Sequence, residues 1–252
     1  MLVAWLCFVG ACQSSVDTEY KGLRGARFAD SLGGLVYRYY VPPEADAEHP
    51  LPLVLYLHSN GRQGVDNEAH VDYRVTRWVE NQREHPCFVL APQLPKGYWV
   101  DTNFAKGSYR FDDGKVGQSM QLVIELLELF QKRYPIDRTR IYVVGTSLGG
   151  YGTWDLMMRR PQLIAAGVPI EGGGDPTQAI RVAGIPIWAF HGAKDKTVPV
   201  TATRAMIEAL KAIHASPRYT EYPDVDHESA PRAFAAGTGL DDWLFEQHKP
   251  LH

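Results

Sequence analysis

The sequence predicts an α/β protein with one mostly parallel sheet and helices on both faces. Two observations carry this prediction: short apolar runs have the length and composition of buried strands, and segments with helical spacing lie between them. Regular alternation of strands and helices favours a doubly wound sheet. The predicted strands are Val36–Val41, Leu53–His58, Phe88–Ala91, Ile141–Gly145, Ala166–Ile170, Ile187–His191 and Tyr219–Tyr222.

Helical spacing is clearest in three segments. Val116, Met120, Val123, Leu127 and Phe130 recur with the period of an amphipathic helix. Thr201–His214 repeats this pattern, and Asp241–His248 is predicted as the last helix. The chain of 252 residues is long enough for one large domain with a sizeable core.

The composition excludes some classes of function. Hydrophobic residues make up 45% and charged residues 22%, as in ordinary globular proteins. The formal net charge is −3 and no basic block occurs, which argues against nucleic acid as a partner. No zinc spacing, phosphate-binding glycine loop or paired carboxylates stand out, so we expect neither a metal nor a cofactor.

The first residues have the pattern of an export signal. Leu2 to Ala11 is almost wholly apolar and too short to span a bilayer, and Val9-Gly10-Ala11-Cys12 resembles a bacterial lipobox. We therefore expect a signal segment over 1–12 with a lipid anchor on Cys12, a tether over 13–27 and one domain over 28–248. No Lys or Arg precedes the apolar run, so a frayed apolar N-terminus on a cytoplasmic protein stays the alternative.

The most informative motif is Gly145-Thr146-Ser147-Leu148-Gly149. It follows a predicted strand and precedes a predicted helix, which is the context of a nucleophile elbow. Glycine on either side of the serine permits a tight turn that a Cβ would block. The elbow lifts the Ser147 hydroxyl above the sheet edge and leaves the next backbone N–H free to bind an oxyanion.

A serine nucleophile of this kind needs an acid and a histidine later in the chain. Asp195 stands just past a predicted strand, where an α/β site collects its residues, and His227 lies in a polar loop after the last strand. Glu171, which ends the strand after the elbow, is the competing acid. We expect His58 to order its own loop and His191 to pack at a strand end.

The oxyanion requires two backbone donors. Leu148 N–H follows the nucleophile and supplies one, and the loop after Leu53–His58 supplies the other. Ser59 is the predicted second donor, with Asn60 as the alternative. Asn60, Trp99 and Glu171 are the candidate residues of the substrate pocket, although core or surface packing is an alternative for Trp99.

The lengths of two connections predict the form of the site. The segment Pro92–Lys115 is long and aromatic, and such a loop is usually functional at a strand's carboxyl end. We expect it to shape the cleft. The segment Glu171–Gly184 is too short to hold a lid domain, which predicts an open cleft.

Together these stretches resemble the α/β-hydrolase superfamily. More narrowly, the chain resembles the bacterial esterase group related to phospholipases/carboxylesterases, prolyl oligopeptidases, feruloyl esterases and polyhydroxybutyrate depolymerases. The resemblance implies an α/β-hydrolase fold without a separate lid domain and a triad of Ser147, Asp195 and His227. Ser59 stands where this group usually has Gly, and Glu171 replaces a residue that is usually neutral.

The resemblance implies a serine carboxylic-ester hydrolase acting on short-chain or aryl esters, such as feruloyl-like groups. Its substrate would be a small molecule or an ester linked to a polysaccharide. A small serine peptidase and a catalytically silent binding module are the alternatives. The intact order of the three predicted triad residues argues against the binding module.

Overall fold

The computed structural model describes residues 19–31, 33–100, 102–103, 106–112 and 114–250. The predicted signal segment, Cys12 and residues 13–18 of the predicted tether lie outside the described residues. The strands are β1 Arg24–Asp30, β2 Gly33–Tyr40, β3 Leu51–Leu57, β4 Phe88–Gln93, β5 Thr102–Asn103, β6 Ser108–Tyr109, β7 Ile136–Thr146, β8 Ala166–Ile170, β9 Trp188–Gly192 and β10 Arg218–Tyr222. The helices are α1 Tyr73–Glu80, α2 Gln118–Arg133, α3 Leu148–Arg159, α4 Thr201–Ala212, α5 Ala230–Ala233 and α6 Leu240–Phe245.

The described strands form an eight-stranded sheet in the order β1-β2-β4-β3-β7-β8-β9-β10. From β4 to β10 every neighbouring pair is parallel, and the pairings of β1 with β2 and of β2 with β4 are antiparallel. This confirms the predicted mostly parallel sheet and the α/β-hydrolase fold. The strands β5 and β6 form a separate two-stranded sheet within the segment Pro92–Lys115.

Alternation along the central strands divides the core between the two faces of the sheet. Leu53 and Leu55 of β3 pack on the side of α2, α3 and α4. Val54 and Tyr56 pack on the other side, with α1 and α6. Successive side chains of a strand point to opposite faces, so a strand that is covered on both faces reads as a continuous apolar run.

The predicted tether extends too far into the chain. Residues 24–27 belong to β1, which pairs antiparallel with β2 from Arg24 opposite Tyr39 to Asp30 opposite Gly33. Charged residues interrupt the apolar pattern of this edge strand, and its ladder to β2 stabilises it. The prediction also missed α1, where the Asp72 carboxylate caps the helix by accepting a hydrogen bond from Arg74 N.

The connection between β8 and β9 contains a short 3-10 helix, Pro176–Val182, and no separate lid. The prediction that this connection is too short for a lid domain is confirmed in the described residues. None of the described helices is both long and apolar enough to cross a membrane.

Candidate active site

Ser147 occupies a sharp turn between β7 and α3. Its backbone has φ 54° and ψ −112°, and its N–H donates to Ile170 O at 2.8 Å. A Cβ on Gly145 would collide with the Gly149 carbonyl, and a Cβ on Gly149 would collide with the Leu57 carbonyl. The two glycines are therefore required by close backbone packing, which allows Ser147 to adopt an unfavourable conformation at the strand end.

The structure brings the three predicted triad residues into one hydrogen-bonded chain. His227 Nε2 lies 2.8 Å from Ser147 Oγ, and His227 Nδ1 lies 2.6 Å from Asp195 Oδ2. An ionised carboxylate only accepts hydrogen bonds, so Nδ1 carries the proton and Nε2 is free to accept the serine proton. The competing acid, Glu171, is not bonded to the imidazole.

Asp195 is held in its ionised form by several donors. Its Oδ1 accepts from Thr197 N at 2.9 Å and Val198 N at 2.8 Å, and its Oδ2 faces His191 Nε2 at 3.2 Å as well as His227. Burial would raise the pKa of Asp195, but hydrogen bonds from His191, His227 and Val198 outweigh it and hold that pKa well below its usual range.

His191 also belongs to the site, although the sequence predicted only that it packs at a strand end. Its Nε2 faces two acceptors, Asp195 Oδ2 and Val198 O at 3.0 Å, so this nitrogen carries a proton. Its Nδ1 lies 2.7 Å from Thr203 Oγ1. His191 thus contacts the same carboxylate oxygen of Asp195 as the catalytic imidazole does. Its position at the end of β9 is the one sequence signal for this contact.

The surroundings of His227 favour its protonated form. Burial lowers its pKa, but the hydrogen bond that it donates to Asp195 and the negative charges of Glu171 and Asp195 outweigh burial and raise the pKa above the ordinary value of 6.5. A base of this kind is charged over a wider range of pH than a free histidine.

Glu171 anchors the loop that carries His227. It follows β8 with φ 54° and is 3% exposed. Its Oε1 accepts hydrogen bonds from the Ser229 backbone N–H and from Ser229 Oγ. Ser229 is two residues beyond His227 and fully buried. Glu171 also lines the cleft, as predicted, but it acts on the histidine through the loop and through its charge.

The loop after β3 is fixed by His58. Its Nδ1 lies 2.7 Å from Ser59 O, and its Nε2 accepts from Leu94 N at 3.0 Å. Burial lowers the pKa of His58 to about 4, so the ring is neutral and donates from Nδ1. This confirms the expectation that His58 orders its own loop.

Trp99 does not line the cleft, which makes its assignment to the substrate pocket wrong. Its side chain is fully buried, its Nε1 donates to His58 O at 2.9 Å, and its ring packs against the His58 ring with centroids 4.9 Å apart. Burying a large ring in the core is favoured over leaving it at a polar cleft. Trp99 therefore supports the loop of Ser59 through its contacts with His58.

The described residues of Pro92–Lys115 do not line the cleft around Ser147, although Leu94, Gly97 and Trp99 hold the loop after β3 through hydrogen bonds. Several described residues of the segment line a separate cavity of about 560 Å³, beside Asp155 and Arg159 at the other end of α3. The expectation is therefore wrong for the lining of the cleft, because Tyr109 and Asp112 contact α3 instead, and the segment contributes through its contacts with the loop after β3. Arg159 and Asp155 on the wall of this cavity form an ion pair at 2.8 Å.

The cleft around Ser147 has a volume of about 350 Å³ and is lined mostly by polar residues. Ser59 and Asn60 lie on it with Ser147 and His227, as the sequence predicted. Asn60 Oδ1 accepts from Gln63 Nε2 at 2.7 Å, which fixes its side chain. The other described lining residues are Arg62, Arg74, Thr146, Glu171, Thr197, Glu228 and Ala230.

These features define an α/β-hydrolase: a serine on a strand–helix turn, an acid after a later strand and a histidine in the loop after the last strand. The chain belongs to the phospholipase/carboxylesterase family, whose model matches residues 44–237.

Individual relatives agree with this family. The chain is 28% identical over 162 residues to poly(3-hydroxyalkanoate) depolymerase C of Paucimonas lemoignei, covering 63% of this chain and 36% of that protein. It is 23% identical over 173 residues to a probable feruloyl esterase C of Aspergillus niger, covering 64% of this chain and 58% of that protein. The chain thus spans less than two thirds of the length of these relatives.

Solved structures support the same fold. A thermostable esterase is 34% identical with a TM-score of 0.77, covering 90% of this chain and 64% of that chain. An acylaminoacyl peptidase of Pyrococcus horikoshii is 15% identical with a TM-score of 0.68, covering 91% of this chain and 42% of that chain. The second likeness shows the fold alone.

Proposed function

We propose that the protein is a serine carboxylic-ester hydrolase that works through an acyl-enzyme. The observation that carries the proposal is the hydrogen-bonded chain from Ser147 Oγ through His227 to Asp195, with distances of 2.8 Å and 2.6 Å. A serine hydroxyl is a weak nucleophile until an adjacent base removes its proton. Here the base is in hydrogen-bond contact and has its acceptor nitrogen facing the hydroxyl.

The reaction proceeds in two halves. Ser147 Oγ attacks the ester carbonyl while His227 Nε2 takes its proton, and the imidazolium then protonates the departing alcohol. Water attacks the resulting acyl-enzyme, again with His227 as the base, and releases the acid. Asp195 keeps the imidazole in the required tautomer and stabilises its charged form.

Backbone donors stabilise the tetrahedral intermediate. Leu148 is the first residue of α3, and an N–H at a helix N-terminus has no acceptor inside its own helix. The backbone N–H of Ser59 supplies the second donor. The Ser59 carbonyl is already bonded to His58, which holds the loop after β3 in place. Removing one donor of this kind typically lowers kcat by about 10²–10³-fold.

The cleft favours short-chain esters over aryl esters. A pocket for an aryl or long acyl group is normally lined by apolar and aromatic side chains. Ala230 is the single apolar residue among the described lining residues. The feruloyl-like substrate expected from the resemblance is therefore the less favoured form of the proposal.

The test is hydrolysis of p-nitrophenyl esters from acetate to octanoate, with methyl ferulate and a p-nitroanilide, by the wild type and by Ser147→Ala. We expect turnover of the short esters that is lost in Ser147→Ala without loss of the fold. Preference for the anilide would favour a peptidase instead, and no turnover of any probe would favour a binding module.

We also propose that the protein is exported and anchored to a membrane by a lipid on Cys12. The support is the apolar run ending in Val9-Gly10-Ala11-Cys12. Expressed from its native start, the wild type is expected in the membrane fraction and Cys12→Ser in the soluble fraction. Equal soluble fractions of the two would contradict the anchor.

A further inference from the structure

Two arginines lie on the wall of the cleft that contains Ser147. Arg62 belongs to the loop after β3, and Arg74 lies in the first turn of α1. Arg74 Nη1 is 3.5 Å from the Oγ1 of Thr146, the residue before the nucleophile. A fixed positive charge therefore lies beside the position where a substrate must bind.

The two guanidinium groups share one carboxylate. Arg62 Nη2 and Arg74 Nη2 are each 3.4 Å from Asp72 Oδ2. Charged hydrogen bonds of this type are usually about 2.7–2.9 Å long, so neither contact is a full bidentate pair. Two positive charges against one negative charge leave a net positive charge on this wall.

Arg74 also holds a donor that no described group satisfies. Its Nε is buried without a hydrogen-bond partner, while its other nitrogens approach Asp72 and Thr146, and the Tyr56 hydroxyl contacts the guanidinium. A buried donor without an acceptor is costly and rare in native proteins. The guanidinium of Arg74 is therefore incompletely satisfied by the described residues.

The two described acids of the cleft keep their charges but act on His227, whose pKa both of them raise. The groups that influence the pKa of Arg74 most are Tyr56, Asp72 and Tyr73, and Glu171 is held by the backbone N–H and hydroxyl of Ser229. Glu228 is exposed, so water and salt screen it. The Arg74 side chain is 15% exposed and is screened much less.

We propose that Arg62 and Arg74 form an anion subsite and that the substrate is a short ester carrying a carboxylate close to the scissile bond. The inference rests on the proposed ester hydrolysis and names its substrate class. A cleft of about 350 Å³ that is lined mostly by polar residues suits a small charged ester. Arginine matches a carboxylate because its planar fork donates two parallel hydrogen bonds.

The carboxylate can belong to the acyl or to the alcohol part, and paired probes separate the two. Monomethyl succinate against methyl butyrate tests the acyl side. 4-Acetoxybutanoate against butyl acetate tests the alcohol side. Hydrolysis is followed by pH-stat titration, and the readout is the ratio of kcat/KM for the anionic ester to that for its neutral partner.

We expect at least one pair to give a ratio above one in the wild type. Arg74→Met lowers that ratio on the order of tenfold, as expected for the loss of one charged hydrogen bond. Arg62→Met changes it in the same direction and serves if Arg74→Met fails to fold. Lys132→Met is the matched control, since Lys132 is exposed on α2 and lies outside the cleft.

The outcomes separate this inference from the proposed function. The anion subsite alone would be overturned if Ser147 hydrolyses neutral esters but both pairs give ratios below one. It would also be overturned if the ratios stay unchanged in both arginine variants. No hydrolysis of any ester, neutral or anionic, would overturn the proposed function and the subsite with it. An equal fall of the ratio in Lys132→Met would show that the overall charge of the protein causes the effect, and it would reject the subsite.

Discussion

The ends of β8 and β9 each place a buried carboxylate near the histidine loop, yet the two groups make different contacts. Asp195, after β9, bonds the imidazole of His227 at 2.6 Å. Glu171, directly after β8, bonds Ser229, two residues further along the same loop. Their exposed fractions are 8% and 3%, so burial does not distinguish them.

The difference lies in the donors that surround each carboxylate. Asp195 accepts from Thr197 N and Val198 N on one oxygen, and the other oxygen faces two imidazoles. Glu171 accepts from one residue and influences His227 through space. Of two acids at neighbouring strand ends, one orients the base and the other positions its loop and tunes its charge.

The largest expected effect comes from changing the acid that contacts the imidazole. In Asp195→Asn the amide presents an N–H to His227 Nδ1 and favours the wrong tautomer, so kcat is expected to fall about 10³–10⁴-fold. Steady-state kinetics on p-nitrophenyl acetate measures this. Glu171→Gln is the matched variant, and an equal loss in it at high pH would erase the distinction between the two acids.

The second effect is on stability. Glu171→Ala leaves the buried Ser229 N–H without its acceptor, and the free energy of unfolding is expected to fall by about 1–3 kcal/mol. Urea unfolding followed by circular dichroism measures this change. Glu171→Gln keeps an acceptor oxygen and is expected to lose less. Equal stabilities for the wild type and Glu171→Ala would show that the contact contributes little.

The smallest effect is a shift in pH dependence. The pKa of His227 is raised above 6.5, partly by the charge of Glu171, and the reaction requires the neutral imidazole. The kcat/KM of the wild type is therefore expected to fall on acidification with a midpoint above 6.5. In Glu171→Gln the imidazolium loses a stabilising charge, so this midpoint moves to lower pH.

A pH–rate profile from pH 5 to 9 on a neutral ester makes this comparison. Glu228→Gln is a useful control, because Glu228 also raises the pKa of His227 but is exposed and better screened. A midpoint that stays the same in Glu171→Gln, or moves to higher pH, would contradict the electrostatic role of Glu171.

The strands and the triad residues could be predicted from the sequence, because they depend on chain order and local pattern. Continuous apolar runs gave the parallel strands because strands covered on both faces have no polar side. The elbow motif, the acid after β9 and the histidine after β10 then followed from the order of strand ends. The distances within the described structure agree with the three residues named for the triad.

Features that depend on tertiary contacts escaped prediction. His191 and Asp195 are close in sequence, but their contact follows from the turn after β9. Glu171 and Ser229 are 58 positions apart, and no pattern links them. Trp99 was misassigned because an aromatic residue in a long loop has the same sequence signature whether it lines a pocket or fills the core.

The most direct test of the central claim is covalent labelling of Ser147. The wild type and Ser147→Ala are treated with a fluorophosphonate, and intact mass and peptide mapping locate the adduct. We expect one adduct per chain on Ser147, none in Ser147→Ala, and slower labelling in Asp195→Asn. An adduct on another residue, or equal labelling of the wild type and Ser147→Ala, would contradict the assignment of Ser147 as the nucleophile.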